Sequence, residues 1–199
     1  LPGLRADRHA PLPESGVPVG APEALPFVLR AMRRGVERHS DVFSVLDLGI
    51  GYGFWGAAIR NYFSTGPDGR LRRGRFRLTG VEAFPAYENP MWAFYDEVVV
   101  APIEDHLDLV GRANLVVAID VLEHLPMEIG KRILRESRAF VAGVPREHEQ
   151  GEHYGNPRER HLSMWTEKDM WESALLTTFL RDVNPEANPG IDYIVGEKW

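Results

Sequence analysis

Apolar residues recur at helical spacing through PEALPFVLRAMRRGVERHS, where Leu25, Val28, Leu29, Met32 and Val36 are separated by arginines. That spacing predicts an amphipathic helix. The period then changes. VFSVLDL is a short apolar run bounded by turn signals and reads as a strand, FWGAAIRNYFS as a helix, and FRLTGVEAF, after the turn TGPDG, as a second strand. Further along, NPMWAFYD reads as a short helical piece, EVVVAP as a strand, ANLVVAID as a buried strand, MEIGKRILRES as a helix and AFVAGVP as a strand. A polar loop over residues 145 to 163 follows. The helix TEKDMWESALLTTF then leads to two last strands, FLRDV and DYIVGEKW.

Strands alternating with helices imply parallel pairing and a sheet covered on both faces. The last two strands are joined only by NPEANPG, too short for a crossover, which favours an antiparallel pair at the sheet edge. The expected fold is therefore α/β and doubly wound, a mostly parallel seven-stranded sheet with an antiparallel C-terminal edge strand. Residues 1 to about 21, with Pro2, Pro11, Pro13 and Pro18 and no lasting period, read as an irregular arm on a single domain spanning 1–199.

Composition narrows the function classes. With 199 residues, 44% of them hydrophobic, the chain can bury one good core. A formal net charge of -6 argues against a protein that wraps a polyanionic backbone, so no nucleic acid is expected as partner. Two arginine-rich runs, GRLRRGRFR and RAMRRGVER, read as a solvated loop and a solvated helix face. With no cysteine there is no disulfide, thiolate metal site or cysteine nucleophile. No apolar run approaches the ~18 residues that span a bilayer, and LPGLRADRHAPLPESG has no signal-peptide core, so the expectation is a soluble cytoplasmic protein with no membrane partner. The oligomeric state is left open.

The chemistry is expected where the first strand ends. In open α/β sheets ligands bind at the carboxyl ends of the strands, and there the chain reads Asp47-Leu48-Gly49-Ile50-Gly51-Tyr52-Gly53. Glycines at alternate positions suit a backbone that turns sharply or lets a ligand approach closely. The second strand ends on Glu82, a carboxylate able to accept both hydroxyls of a ribose. A competing reading uses Gly51, Gly53 and Gly56 as the dinucleotide fingerprint G-x-G-x-x-G, which would make the chain a nicotinamide oxidoreductase. Counted from Gly49, where the strand ends, the third glycine position holds Phe54.

VLDLGIGYG, GVEAF and ANLVVAIDVLEHLP together resemble three segments of the class I S-adenosylmethionine-dependent methyltransferases, and the likeness covers roughly residues 40 to 198. The resemblance implies that fold, S-adenosylmethionine as cofactor and a small-molecule acceptor. It also implies that Asp47, Gly49, Gly51 and Gly53 line the methionine side, that Glu82 holds the ribose, and that Asp120 belongs to the cofactor site. One departure is that Pro102 stands where many members have an adenine-binding aspartate, so adenine is expected against Ile103 and Glu104 or Asp105.

Methyl transfer to a hydroxyl or ammonium acceptor needs in-line positioning and a base for the released proton. The candidate bases are His124 in IDVLEHLP and His148 and His153 in the following loop, which also carries Tyr154, His161 and Trp165. Each has a plainer reading: His124 as a loop cap or cofactor-side residue, the loop as a solvated lid. Glu147, His148, Glu149, Glu152, His153 and His161 match no strong metal-ligand template, and no metal site is expected. Trp55, Trp92, Trp165 and Trp171 read as core or lid packing. A non-catalytic adenosyl-binding protein is the remaining alternative.

Overall fold

A computed structural model describes residues 22–39, 41–64, 76–153, 155–174, 178–183 and 192–198. The N-terminal arm, the turn TGPDG, most of GRLRRGRFR, Tyr154 and the NPEANPG connection lie outside the described residues.

The strands are β1 (Phe43–Leu48), β2 (Phe76–Glu82), β3 (Glu97–Val100), β4 (Leu115–Ile119), β5 (Phe140–Pro145), β6 (Thr178–Val183) and β7 (Asp192–Lys198). They form one seven-stranded sheet in the order β3-β2-β1-β4-β5-β7-β6. The first five run parallel, and β7 is antiparallel to both β5 and β6. The antiparallel C-terminal pair is at the sheet edge, with β7 between β5 and the outermost β6. Chain order reverses between β1 and β4, the switch point where doubly wound sheets take their ligands.

Strand alternation sends successive side chains to opposite faces, and each face has its own helices. Val45, Leu78, Leu115, Val117 and Val141 face a core with α1 (Leu25–Arg38) and α2 (Phe54–Ser64), where Val28, Met32 and Ile59 are fully buried. Leu46, Leu48, Val116, Phe140 and Ala142 face the other core. It is completed by Val110 of α3 (Asp108–Arg112), Ile133 and Leu134 of α4 (Met127–Glu136) and Met170 of α5 (Glu167–Ala174). Each such large side chain, removed from water, contributes about 1.5–3 kcal/mol.

Three features depart from the expectations. The α1 arginines are not simply solvated: Arg30 and Arg34 reach Glu197 on β7 at 2.8 and 3.4 Å, and Glu197 is buried. That arrangement ties the first helix to the last strand. α3 is a helix too short to show a period. NPMWAFYD becomes a 3-10 turn over Pro90–Phe94, because Asn89 caps it by accepting from the Met91 N–H and Pro90 presets its first residue.

This turn delivers Tyr95 against α2. A Cβ added to Gly56 would stand 2.3–2.8 Å from the Tyr95 ring and hydroxyl, whereas one added to Gly111 meets nothing within 4 Å. Gly56→Ala should therefore destabilise the protein by roughly 1–3 kcal/mol in urea unfolding. Gly111→Ala, within α3, should be neutral or stabilising by up to about 1 kcal/mol.

Candidate functional site

The loop after β1 turns over on three glycines with positive φ, Gly49 (62°), Gly51 (49°) and Gly53 (86°), a region that side chains bearing a Cβ rarely adopt. The turn is tied to β2. Gly49 N–H and Ile50 N–H both donate to the Val81 carbonyl, at 2.9 and 3.2 Å, and Gly51 N–H donates to Glu82 Oε2 at 2.8 Å. Glu82 Oε1 accepts from Phe84 N–H, also at 2.8 Å. Both carboxylate oxygens keep lone pairs for further donors. Burial raises the Glu82 carboxyl above its ordinary range, partly offset by these backbone donors.

Beneath the loop, Asp47 continues the β1 row of Phe43 and Val45 and is fully buried. Its Oδ2 accepts from the Tyr95 hydroxyl at 2.5 Å, and that hydroxyl oxygen accepts from Gly56 N–H at 3.0 Å. Its Oδ1 is buried and has no hydrogen-bond partner among the described residues. Burial raises the Asp47 carboxyl to about 7; the Tyr95 hydrogen bond opposes the shift and the nearby Glu82 adds to it. Trp92 Nε1–H donates to the Gly51 carbonyl at 2.8 Å, and Asn89 donates to the Tyr52 carbonyl at 3.1 Å. The turn before β3 thus braces the glycine loop from outside. Sequence reasoning missed Asn89, Trp92 and Tyr95 as site-builders, because a 3-10 turn has no lasting period; its aromatic density beside a proline was the available signal.

Beyond β4, Asp120 holds a positive φ of 54° and its N–H donates to the Gly143 carbonyl at 2.9 Å, so the chain turns sharply at the switch point. Glu123 is buried, and its backbone carbonyl accepts from Leu162 N–H (2.7 Å) and Ser163 N–H (3.0 Å). The polar loop after β5 is therefore pinned back over β4, with Trp165 fully buried beneath it and donating to Ser163 Oγ. Tyr87 also donates to Glu159 Oε1 at 2.6 Å, joining that loop to the segment after β2. Many of the loop's side chains remain exposed, so it is a solvated loop held to the sheet at a few points.

This pinning brings His124, His148 and His161 together. The His124 and His161 rings are 4.9 Å apart between centroids and the His148 and His161 rings 5.6 Å, both edge to face. Burial lowers both His124 and His161 below the usual histidine range, and raises Glu123 well above the carboxylate range, with Asp120 adding to the latter. His153 is exposed and paired through its backbone with Asn156, apart from this cluster. Ile103 is buried in the second core beside Leu107 and Val110, next to the β2 end, where Ala101 N–H donates to the Glu82 carbonyl at 2.9 Å. Glu104 pairs with Arg158 of the loop at 3.7 Å. Trp55, Trp92 and Trp165 are buried and Trp171 is exposed.

No protein-family model matches the chain, and no curated protein matches it. Solved structures do. The N-terminal domain of EvdMO1, a structure with S-adenosylhomocysteine bound, superposes with a TM-score of 0.58 at 12% identity, covering 89% of this chain and 81% of that one. The methyltransferase domain of bacterial CtHen1 gives 0.54 at 16% identity, over 89% and 98% of the two chains. Magnesium protoporphyrin IX methyltransferase from Synechocystis, also with S-adenosylhomocysteine bound, gives 0.53 at 12% identity, over 87% and 82%. The fold of this chain is the Rossmann-like fold of the class I S-adenosylmethionine-dependent methyltransferases.

The buried Asp47 makes a pH prediction. Between about pH 4 and 7 the folded chain keeps a proton on Asp47 that the unfolded chain has released, so this group's stabilisation is complete below pH 4 and is lost as pH rises toward 7. Asp47→Asn should match the wild type near pH 4 and be more stable by roughly 3–4 kcal/mol at pH 7–8, measured by urea unfolding across that range.

Proposed function

We propose that this protein is an S-adenosylmethionine-dependent methyltransferase that methylates an oxygen or nitrogen of a small-molecule or sugar-like acceptor. The observation that carries the reading is the built end of β1 and β2. There a positive-φ glycine loop, the Glu82 carboxylate and the unpartnered Asp47 Oδ1 stand together at the switch point of this fold. A ligand with an ammonium group and a ribose fits those acceptors. Among the described residues Asp47 Oδ1 lacks a donor in a buried place, and Glu82 has lone pairs left for hydroxyls. S-adenosylmethionine supplies an electrophilic methyl on a sulfonium centre.

Gly49, Gly51 and Gly53 would let the backbone approach the methionine part, Asp47 would receive its ammonium, Glu82 its ribose, and the Pro102–Ile103 turn beside Glu82 its adenine. Asp120 stands at the next strand end, between this cofactor side and the histidine cluster. The acceptor then belongs over β4 and β5, beside the pinned loop, where His124 and His148 are at hand for its proton. His153, exposed and outside the cluster, has no part in this reading. The dinucleotide alternative loses its motivation at Gly56, because close packing against Tyr95 already requires glycine there.

Thermal melts with S-adenosylhomocysteine and with the nicotinamide dinucleotides test the cofactor. At about 100 times its dissociation constant, S-adenosylhomocysteine should add roughly 2.7 kcal/mol, a rise of about 5–10 °C for a chain of this size. The dinucleotides should give none. Gly51→Val should abolish the rise while leaving the unliganded protein folded, and a shift with dinucleotides alone would replace this reading by a dehydrogenase.

A further inference from the structure

The Glu123–His124–His161 cluster has an organisation that a loop cap does not need. Each residue offers one ligand atom, and these three atoms lie within 4.8 Å of one another, from the turn after β4 and the loop after β5. The ring orientations are set from behind. His161 Nδ1 is 2.7 Å from the His148 carbonyl and His124 Nδ1 is 3.3 Å from the Arg160 carbonyl. A carbonyl can only accept, so in both rings Nδ1 carries the hydrogen and Nε2 presents a lone pair. Metal-binding histidines are held in this way, the far ring nitrogen donating to a backbone carbonyl. His124 Nε2 stands 4.0 Å from Glu123 Oε1.

The carboxylate is the second, independent observation. The Glu123 side chain is 2% exposed, and its Oε2 has no hydrogen-bond partner among the described residues. Leaving a buried carboxyl oxygen without a partner is costly, and a cation at the cluster would satisfy it.

We propose that Glu123, His124 and His161 bind a divalent transition-metal ion at the carboxyl end of β4. Two imidazole nitrogens and one carboxylate oxygen suit Zn²⁺, Mn²⁺ or Co²⁺, whereas Mg²⁺ and Ca²⁺ prefer all-oxygen sites. Ligand bonds of about 2.0–2.2 Å require the three atoms to draw together from their present spacing when the ion binds. Three protein ligands leave coordination positions open, the pattern of sites that act on a bound molecule. On the methyltransferase reading above, on which this last step rests, an acceptor hydroxyl takes an open position and loses its proton more readily. The oxygen's electron pair then forms the new C–O bond, the S–CH₃ bonding pair returns to sulfur, and the proton passes to His148 or to water. His124 is on this assignment a ligand and not the base.

The test uses untagged protein, freed of metal with a chelator and then titrated with Co²⁺ and followed by visible ligand-field absorption. A saturable band at one ion per chain, displaced by Zn²⁺, is expected. Glu123→Gln and His161→Ala should each weaken Co²⁺ binding at least about tenfold, and His153→Ala should not change it. No band in the wild-type protein, or wild-type affinity in Glu123→Gln and His161→Ala, overturns the site. Calorimetric titration of S-adenosylhomocysteine into the same proteins separates the two readings. Its binding should persist in the metal-site variants; if it fails in the wild type while Co²⁺ binds, the methyltransferase reading falls and the metal site stands.

Discussion

A carboxyl group buried at the end of β1 constrains much of what surrounds it. Asp47 lies on the β1 row that faces the first core, so its side chain is fully buried and, among the described residues, meets the Tyr95 hydroxyl as its donor. Holding Tyr95 there obliges Gly56 to be glycine, because the ring lies where a Cβ would be. It also requires the capped 3-10 turn ahead of β3, and that turn in turn supplies Trp92 and Asn89 to the glycine loop. Burying Asp47 without a cation costs stability in the unliganded protein, and the cost is of the kind a cationic ligand relieves. On the proposed reading, stability and binding are set against each other at Asp47.

The carboxyl end of β4 repeats this logic with different chemistry. Glu123 is as deeply buried as Asp47, but it lies among imidazoles, and its own backbone carbonyl anchors the returning loop through Leu162 and Ser163. The anchoring and the histidine cluster are one construction, since the segment that folds back to reach Glu123 carries His161. The contact between Tyr87 and Glu159 fastens the same loop to the far side of the switch point. One loop therefore touches both halves of the site, and loops held by a rigid sheet are where binding residues concentrate.

Much of this was legible in the chain. The helical period of α1, the apolar runs of the five parallel strands and the brevity of NPEANPG were enough for the architecture, because burial on both faces of a sheet leaves a direct mark on composition. The placement of Asp47, the alternating glycines and Glu82 at strand ends was equally visible, since these residues are neighbours in sequence or separated by one helix and strand. The α1 arginines do form a largely solvated face, but the pairing of Arg30 and Arg34 with Glu197 was not legible, because Glu197 lies 163 residues beyond Arg34 and no local pattern announces it.

The sequence by itself determined the order of the strands and of the helices long enough to show a period, the turn at β1 and the two acidic strand ends, all of which follow from period and from backbone permissiveness within a few residues. Only the tertiary structure decided that Tyr95 closes beneath Asp47 and that His161 joins Glu123 and His124. It likewise decided that His153, eight residues before His161 in the same loop, stays outside. Contacts of that kind depend on where a loop returns to the sheet. That return is set by scattered single hydrogen bonds, such as Leu162 N–H to Glu123 and Trp165 to Ser163, and these leave no period in the chain.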